Sequence, residues 1–442
     1  MAARPMRLLL CCEFYHPSRG GVQEVMRQVA SRLARAGHDV TVATSHLAER
    51  NAAVIDGVRI REFKVRGNLA RGMRGEVERY RDFVAGFGAD AVLVKAAQQW
   101  TFDALWPVLD RIAARKVFVP CGFSGLHDPD FFDYFRQMPQ VLRKFDHLIF
   151  YAEKYRDIDF ARAHGLGNFS IVPNGASELE FDGAPDPGIR ARLGIADEDF
   201  VFLTVGSPIA MKGHREIAEA YARLDGGGRR TTLILNGNWP VPQRWTGRVA
   251  TAARRAADVL GAEGLKGVKA RYRAMLRQRQ ILGETAAWIA RADAQPGKRV
   301  LCTNLPRSDL VEVFKTANLL VFASNIEYSP LVLFEAAAAG TPFLSVPVGN
   351  AEEIARWTGG GSICPAPVDP QGFTRADPSA LARDMQRCMN DPDTLARLGA
   401  TGKARWRERF TWQAIAPRYQ AILAGRETEA SARRAVTGES LP

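Results

Sequence analysis

Short apolar runs alternate with amphipathic stretches along almost the whole chain, and the alternation starts twice. In the first round "MRLLLCCE", "HDVTVATS", "DAVLVK", "KVFVP", "HLIFYA" and "FSIVPNG" read as buried strands. Val22 to Ala36, "TFDALWPVLDRIAAR" and Glu153 to His164 read as helices between them. The polar link Gly183 to Gly188, "GAPDPG", interrupts the pattern. It then restarts with "FVFLTVGS", "KGHREIAEAYARL", "TTLILNGN", "RVLCTN", Arg307 to Thr316, "NLLVFAS" and "PFLSVPV", and ends on helices at Pro378 to Asn390 and Leu395 to Arg407. Strand-helix alternation of this kind predicts an α/β fold with doubly wound parallel sheets. Two such units of similar size are expected, 1–182 and 189–410. Ligands of such sheets bind beyond the carboxyl ends of the strands, so the cleft between two facing units is the expected site.

Between the last two strands of the second unit's first half lies an insertion, 240–297. From Val241 to Arg299 there are thirteen Lys/Arg and four Asp/Glu, which accounts for most of the chain's net charge of +12. A basic patch attracts an anionic acceptor or a membrane surface; the alternative is a solvated helical face. "RVATAARRAADVL" and "VKARYRAMLRQRQILGETAAWIARA" read as helices within it. The segment 426–442 is poor in hydrophobes, and disorder is expected there.

Several function classes are excluded. No glycine fingerprint G-x-G-x-x-G joins a strand to a helix, no P-loop is present, and "CGFSGL" lacks the spacing of a nucleophile elbow. The seven histidines form no metal-ligand pattern, so no metal is expected. No nucleic-acid-binding module accompanies the basic stretch. Six cysteines without CxxC or zinc spacing read as reduced residues of a cytoplasmic protein. No apolar run is long enough to span a bilayer.

"SNIEYSPLVLFEAAAAGTPF", Ser324 to Phe343, carries the sharpest chemical signal. Ser329 suits a helix N-cap and Pro330 the first helical position. The N–H groups of Leu331 and Val332 would then be free to meet a phosphate. Glu335 falls within an apolar helix, where an unpaired carboxylate is costly. It needs a basic residue or ligand hydroxyls. Glu327 sits at the carboxyl end of the preceding strand, where a ligand group would lie; an exposed loop acid is the alternative.

Glu327-x7-Glu335 followed by "AAAAGTPFLSVPVGN" resembles the retaining GT-B glycosyltransferases of family 4, the glycosyl transferases group 1. "FYHPSRGGVQEVMRQVASRLARAGHDVTVAT", "IVPNGASELEF", "TVGSPIAMKGHREIAEAYARL" and "FTWQAIAPRYQAIL" are similar to further segments of that family, in the same order. The resemblance implies a GT-B fold of two Rossmann-like domains, with the helix 412–425 crossing back to complete the first. It implies transfer of a sugar from a nucleoside-diphosphate sugar, with retention and without a metal or other cofactor. The acceptor would be a glycan, a lipid-linked glycan or a small molecule, in surface polysaccharide or glycoconjugate synthesis. Glu327 and Lys212 match the catalytic positions. Gly20, Gly21, Gly206, Ser207, Lys212, Ser329, Leu331, Val332 and Glu335 match donor-binding positions, Glu335 as the holder of the ribose hydroxyls.

The chain departs from the family at three places. Ser207 stands where the family has an arginine, with Arg19 or Arg215 as stand-ins for its charge. Tyr328-Ser329-Pro330 replaces Gly-Phe-Gly. Cys121-Gly122 replaces His-Gly, with His127 either reaching the site or lying on a surface loop. Gln98, Gln99, Trp100, Cys121, Gly122 and the segment Phe131 to Phe135 are the acceptor-side candidates. The departures leave open a second reading, a degenerate GT-B protein that binds nucleotide or glycan without turnover.

Overall fold

The computed structural model describes residues 4–18, 20–239 and 272–426. Arg19, the first insertion helix expected at 248–260 and nearly all of the tail expected at 426–442 lie outside the described residues.

The first sheet has eight strands: β1 (Arg7–Cys11), β2 (Asp39–Ser45), β3 (Val54–Ile55), β4 (Val58–Phe63), then, after a separate hairpin of β5 (Val65–Asn68) and β6 (Gly72–Gly75), β7 (Ala91–Lys95), β8 (Arg115–Val119), β9 (His147–Phe150) and β10 (Phe169–Ile171). Their spatial order is β10-β9-β8-β7-β1-β2-β4-β3, parallel except for the β3–β4 pair. Successive side chains of a strand face opposite sides of the sheet. Leu8 and Leu10 therefore enter one apolar cluster with the helix Gly21–Arg35, while Leu9 and Cys11 enter another with Trp100, Phe102 and Phe118. Both faces are covered, which is why the strand reads as an unbroken hydrophobic run.

The second sheet has six parallel strands, β11 (Phe200–Val205), β12 (Thr231–Asn236), β13 (Lys298–Thr303), β14 (Leu319–Phe322), β15 (Phe343–Ser345) and β16 (Gly361–Ile363), in the order β13-β12-β11-β14-β15-β16. The final helix, Trp412–Leu423, returns to the first sheet. Trp412, Ile415, Tyr419 and Ile422 pack in the cluster of Leu8 and Leu10. The strand order reverses between β1 and β7 in one sheet and between β11 and β14 in the other. Those two crevices are where doubly wound sheets hold ligands.

Several elements differ from the sequence reading. The helix expected over 101–115 is a short turn, Trp100–Asp103, followed by a 3-10 segment, Trp106–Arg111, because Pro107 cannot continue an α-helix. The helix expected at 153–164 is Arg156–Ala163, and that expected at 395–407 is Pro392–Arg405, continued by a π turn to Phe410. The β3–β4 and β5–β6 hairpins were not foreseen. The first turns through Asp56 and Gly57, both at positive φ, as a two-residue hairpin requires. The insertion's second helix, described over 272–293, is joined to the second domain rather than free of it. Gln278 bridges the loop after β11, and Trp288 packs on that domain's core. All six cysteines are free thiols.

Candidate functional site

Two loops at the β11/β14 crevice are stitched together by one glycine. Lys212 ends a 3-10 turn, Ala210–Lys212, and Gly213 follows at φ +69°. A Cβ on Gly213 would lie 1.9 Å from the carbonyl oxygen of Ala323, so no other residue lets the two loops approach. Ser324 Oγ and Asn325 N–H both donate to Met211 O, at 2.9 and 2.8 Å. This closeness brings the Lys212 ammonium onto Glu327 Oε1 as a hydrogen-bonded ion pair. Ser324 Oγ also lies 2.8 Å from the same oxygen, so its one hydroxyl hydrogen is shared between Glu327 and Met211 O. Both side chains of the pair are partly exposed, 29% and 17%, so a ligand can reach them.

The rest of the β11 loop is held by groups other than cations. His214 Nε2 lies 2.9 Å from Gly206 O, and burial pushes its pKa down to about 4, so the ring is neutral and donates. Asn238 Nδ2 donates to Ser207 Oγ at 3.0 Å. Gln278 accepts from Ala210 N–H at 2.9 Å and donates to Pro208 O at 2.5 Å. Arg215 does not stand in for the arginine missing at Ser207: it is paired with Glu284 at 2.8 Å and Glu219 at 3.3 Å. Helix-face acids within reach have claimed its charge.

The helix that carries Glu335 is Leu331–Ala339, one residue later than expected. Pro330, not Ser329, is the N-cap; its carbonyl accepts from Leu333 N–H at 3.3 Å. Ser329 O instead accepts from Asn174 Nδ2 of the first domain at 3.1 Å. Leu331 and Val332 keep their place in the first turn. Gly21 of the first domain faces that turn, since a Cβ there would sit 3.8 Å from Leu331 Cδ1. Gly20 precedes it as the N-cap of Gly21–Arg35.

Glu335 is buried, and its partner comes from the protein. Arg307 Nη2 pairs with Glu335 Oε1 at 2.7 Å and the same guanidinium holds Glu180 at 2.8 and 3.0 Å. Burial opposes the arginine's charge, but the two carboxylates outweigh it and raise its pKa. The internal salt bridge, one of the two solutions open in the sequence, is the one found. Arg307 is 28 positions away, and no local spacing marks it.

Tyr328 joins the domains. Its hydroxyl accepts from Tyr151 N–H at 2.9 Å, and its ring stacks between Tyr151 and Tyr155 at centroid distances of 5.4 and 4.8 Å. Tyr155 donates its hydroxyl to Glu327 O at 2.5 Å. Cys121, Gly122 and Phe123 all have positive φ, of 61°, 90° and 47°. A Cβ on Gly122 would press on Tyr155 at 2.9 Å and Tyr328 at 3.0 Å. The strained turn therefore makes room for the aromatic stack. Asp157, fully buried, accepts from Gly122 N–H at 2.7 Å; burial raises its pKa to about 7 although Gly122 and Tyr328 favour its charge.

The acceptor-side candidates separate. Burial raises the Cys121 thiol to about 11, which keeps it protonated near neutral pH. Gln98, at φ +63°, accepts from Gly125 N–H at 3.0 Å and pins the turns after β7 and β8 together. Trp100 is fully buried and donates to Ser45 Oγ at 2.9 Å, which places it under the site instead of at its surface. His127 is exposed on the turn before Pro129–Phe131, outside the hydrogen bonds that join the others. Sequence reasoning missed Arg307, Tyr155 and Asp157, each a long-range partner.

Residues 20–175 match the family described as glycosyl transferase 4-like domain, and 298–405 match glycosyl transferases group 1. Over 255 residues the chain is 32% identical to D-inositol 3-phosphate glycosyltransferase of Streptomyces griseus, covering 57% of this chain and 45% of that one. A shorter match, 34% over 113 residues, is to the protein of the same name from Thermobispora bispora, covering 26% and 24%. The chain thus spans less than half the length of these relatives. Among solved structures it is similar to sucrose-phosphate synthase from Thermosynechococcus elongatus, with TM-score 0.69 and 21% identity over 95% of this chain and 99% of that one. It is also similar to Anabaena HepE in complex with UDP-glucose, with TM-score 0.66 and 16% identity over 95% and 100%. WaaG, a glycosyltransferase involved in lipopolysaccharide biosynthesis, gives 0.64 and 17% over 95% and 100%. At these identities the structures establish a shared fold.

Proposed function

Because the chain joins a glycosyl transferase 4-like domain to a glycosyl transferases group 1 domain in a GT-B fold, we propose that it moves a sugar from a nucleoside-diphosphate sugar to an acceptor, with retention at the anomeric carbon and without a metal. The observation that carries this reading is the Lys212–Glu327 pair at the β11/β14 crevice, with Gly21 of the first domain facing the adjoining helix start. Departure of a diphosphate leaves positive charge on the sugar and negative charge on the leaving group. Lys212 and the N–H groups of Leu331 and Val332 would meet the diphosphate, and Glu327 would face the sugar. Lys212 and Glu327 neutralise each other before the donor arrives; the diphosphate competes for the lysine and releases the carboxylate.

Glu335 keeps its role as ribose holder in this reading. An ion-paired carboxylate still has lone pairs to accept hydroxyls, so ribose adds to Arg307 and does not replace it. The similarity to WaaG, a glycosyltransferase involved in lipopolysaccharide biosynthesis, supports a setting in surface polysaccharide or glycoconjugate synthesis, and the six free thiols support a cytoplasmic location. Peripheral membrane contact is supported by Tyr272, Met275 and Leu276, exposed beside Arg273, Arg277 and Arg279 on the insertion helix. Replacing the three arginines by alanine should reduce flotation with anionic liposomes; unchanged flotation removes that part of the reading.

The non-catalytic alternative rests on Ser207, whose hydroxyl is engaged by Asn238 and not replaced by a cation at Arg215. A thermal-shift screen against UDP, GDP, ADP and their sugars, followed by transfer from the labelled donor, separates the two. Transfer that is lost in Lys212→Ala supports the enzyme. A nucleotide shift without transfer or hydrolysis supports the binder.

A further inference from the structure

The crevice of the first sheet has its own unfilled chemistry. β1 pairs with β7 as far as Cys11 opposite Val94, and Glu13 follows two residues beyond that last pair, beside the end of β7 at Lys95. Glu13 is therefore at the point of strand-order reversal. Its backbone is fixed, since its carbonyl accepts from Ser45 N–H at 2.9 Å and Thr44 Oγ1 at 3.1 Å. Its half-buried carboxylate, among the described residues, receives no hydrogen bond and no ion pair. Burial and the nearby Asp103 raise its pKa to about 7, the signature of an acid with nothing to neutralise it. On the β7 side of the crevice Gln99 Oε1 is buried and also lacks a donor.

Among the described residues, Arg50 and Lys95, the nearby cations, are committed elsewhere. Arg50 holds Glu62 and the carbonyls of Tyr15, His16 and Ser45. Lys95 is buried and donates to Tyr151 at 2.6 Å. Asp103 is held by Tyr134 and Leu69 N–H. The atoms left open, the Glu13 carboxyl oxygens and Gln99 Oε1, are both hydrogen-bond acceptors once Glu13 is ionised, which a donating ligand favours. A ligand that satisfies them must donate. A phosphate brings acceptors and negative charge, and would leave an ionised Glu13 and Gln99 Oε1 without a donor.

We propose that Glu13 sets the chemical class of the acceptor: the crevice takes an unphosphorylated polyol or amino sugar through its hydroxyl or ammonium donors and rejects a phosphorylated one. This rests on the glycosyltransferase reading, and it separates the chain from relatives whose name specifies an inositol phosphate.

The test uses the full chain with the nucleotide sugar that binds best, offered myo-inositol, glucose and glucosamine against inositol 3-phosphate and glucose 6-phosphate. Transfer to an unphosphorylated acceptor is expected to exceed transfer to its phosphate by about tenfold or more in kcat/KM, the weight of one charged hydrogen bond. Glu13→Gln should lower that kcat/KM by a similar factor through the acceptor's KM, with the donor's dissociation constant unmoved. Glu13→Lys should shift preference toward the phosphates. Preference of the unaltered protein for a phosphorylated acceptor overturns the proposal, as does a Glu13→Gln variant with unchanged acceptor KM. Donor hydrolysed by water while neither acceptor class is used also overturns it and leaves the transferase donor site standing. Failure to bind any donor overturns the transferase reading and this proposal together.

Discussion

At the residue scale, two buried carboxylates behave differently because their partners differ. Glu335 has a guanidinium; Asp157 has a backbone N–H and a phenol. Arg307→Met should leave Glu335 and Glu180 uncompensated and cost about 2–3 kcal/mol, toward the low side for a broken buried pair because Arg307 is partly exposed. Urea denaturation measures it; a loss no larger than that of an exposed salt bridge would mean that solvent already screens the pair. Asp157 has a folded pKa of about 7, above the ordinary value of about 3.9 for an unfolded chain. Its protonated form is favoured by folding, so its contribution to stability is full below about pH 4 and is lost as pH rises through about 7. The Tm of the unaltered protein minus that of Asp157→Asn should therefore fall between pH 4 and pH 8. A difference that is flat or rises over this range contradicts the assignment.

At the element scale, the buried central strands were legible, while the hairpin strands β3 to β6, the edge strand β16 and the turns between elements were not. Leu8 to Leu10 and Leu233 to Leu235 are buried on both faces, and continuous apolar runs announce such strands. The stretch 101–115 looked helical because its apolar positions recur, yet Pro107 divides it. Ser329-Pro330 read as cap and first turn, and the structure starts the helix one residue later, with Pro330 extended at ψ 116° as the cap and Ser329 O bonded to Asn174. Gly213 was visible beside Lys212, but its need arises from Ala323, a contact of two loops that no local pattern encodes. Gly213→Ala should separate those loops. A positive φ and a 1.9 Å approach to a carbonyl leave no relaxed position for a methyl group. A lowered Tm together with loss of donor binding is expected; a variant that binds donor normally would show that the stitch is not what positions Lys212.

At the scale of the whole molecule, the candidate site belongs to neither domain alone. Lys212, Glu327 and Glu335 were placed by motif, and the structure brings the first two into contact while Glu335 turns to Arg307. The first domain reaches across with Gly21, Asn174 and Tyr155, and Tyr328 reaches back between Tyr151 and Tyr155. Those cross-contacts lie between residues more than 150 positions apart, so sequence spacing carries no trace of them. Tyr328 was legible only as a departure from its family; its use, as the ring that fits above Gly122, appears in the fold. The closing helix Trp412–Leu423 ties the chain's end to its first strand and so holds the two halves of the cleft together.

The claim on which the account turns is that the Lys212–Glu327 pair serves retaining sugar transfer. Proton NMR of the product formed from an α-linked nucleotide sugar tests it directly, run beside Glu327→Gln. The account predicts an α-linked product from the unaltered protein and a large loss of its formation in the variant. A β-linked product, or a variant that forms product at the unaltered rate, would contradict it.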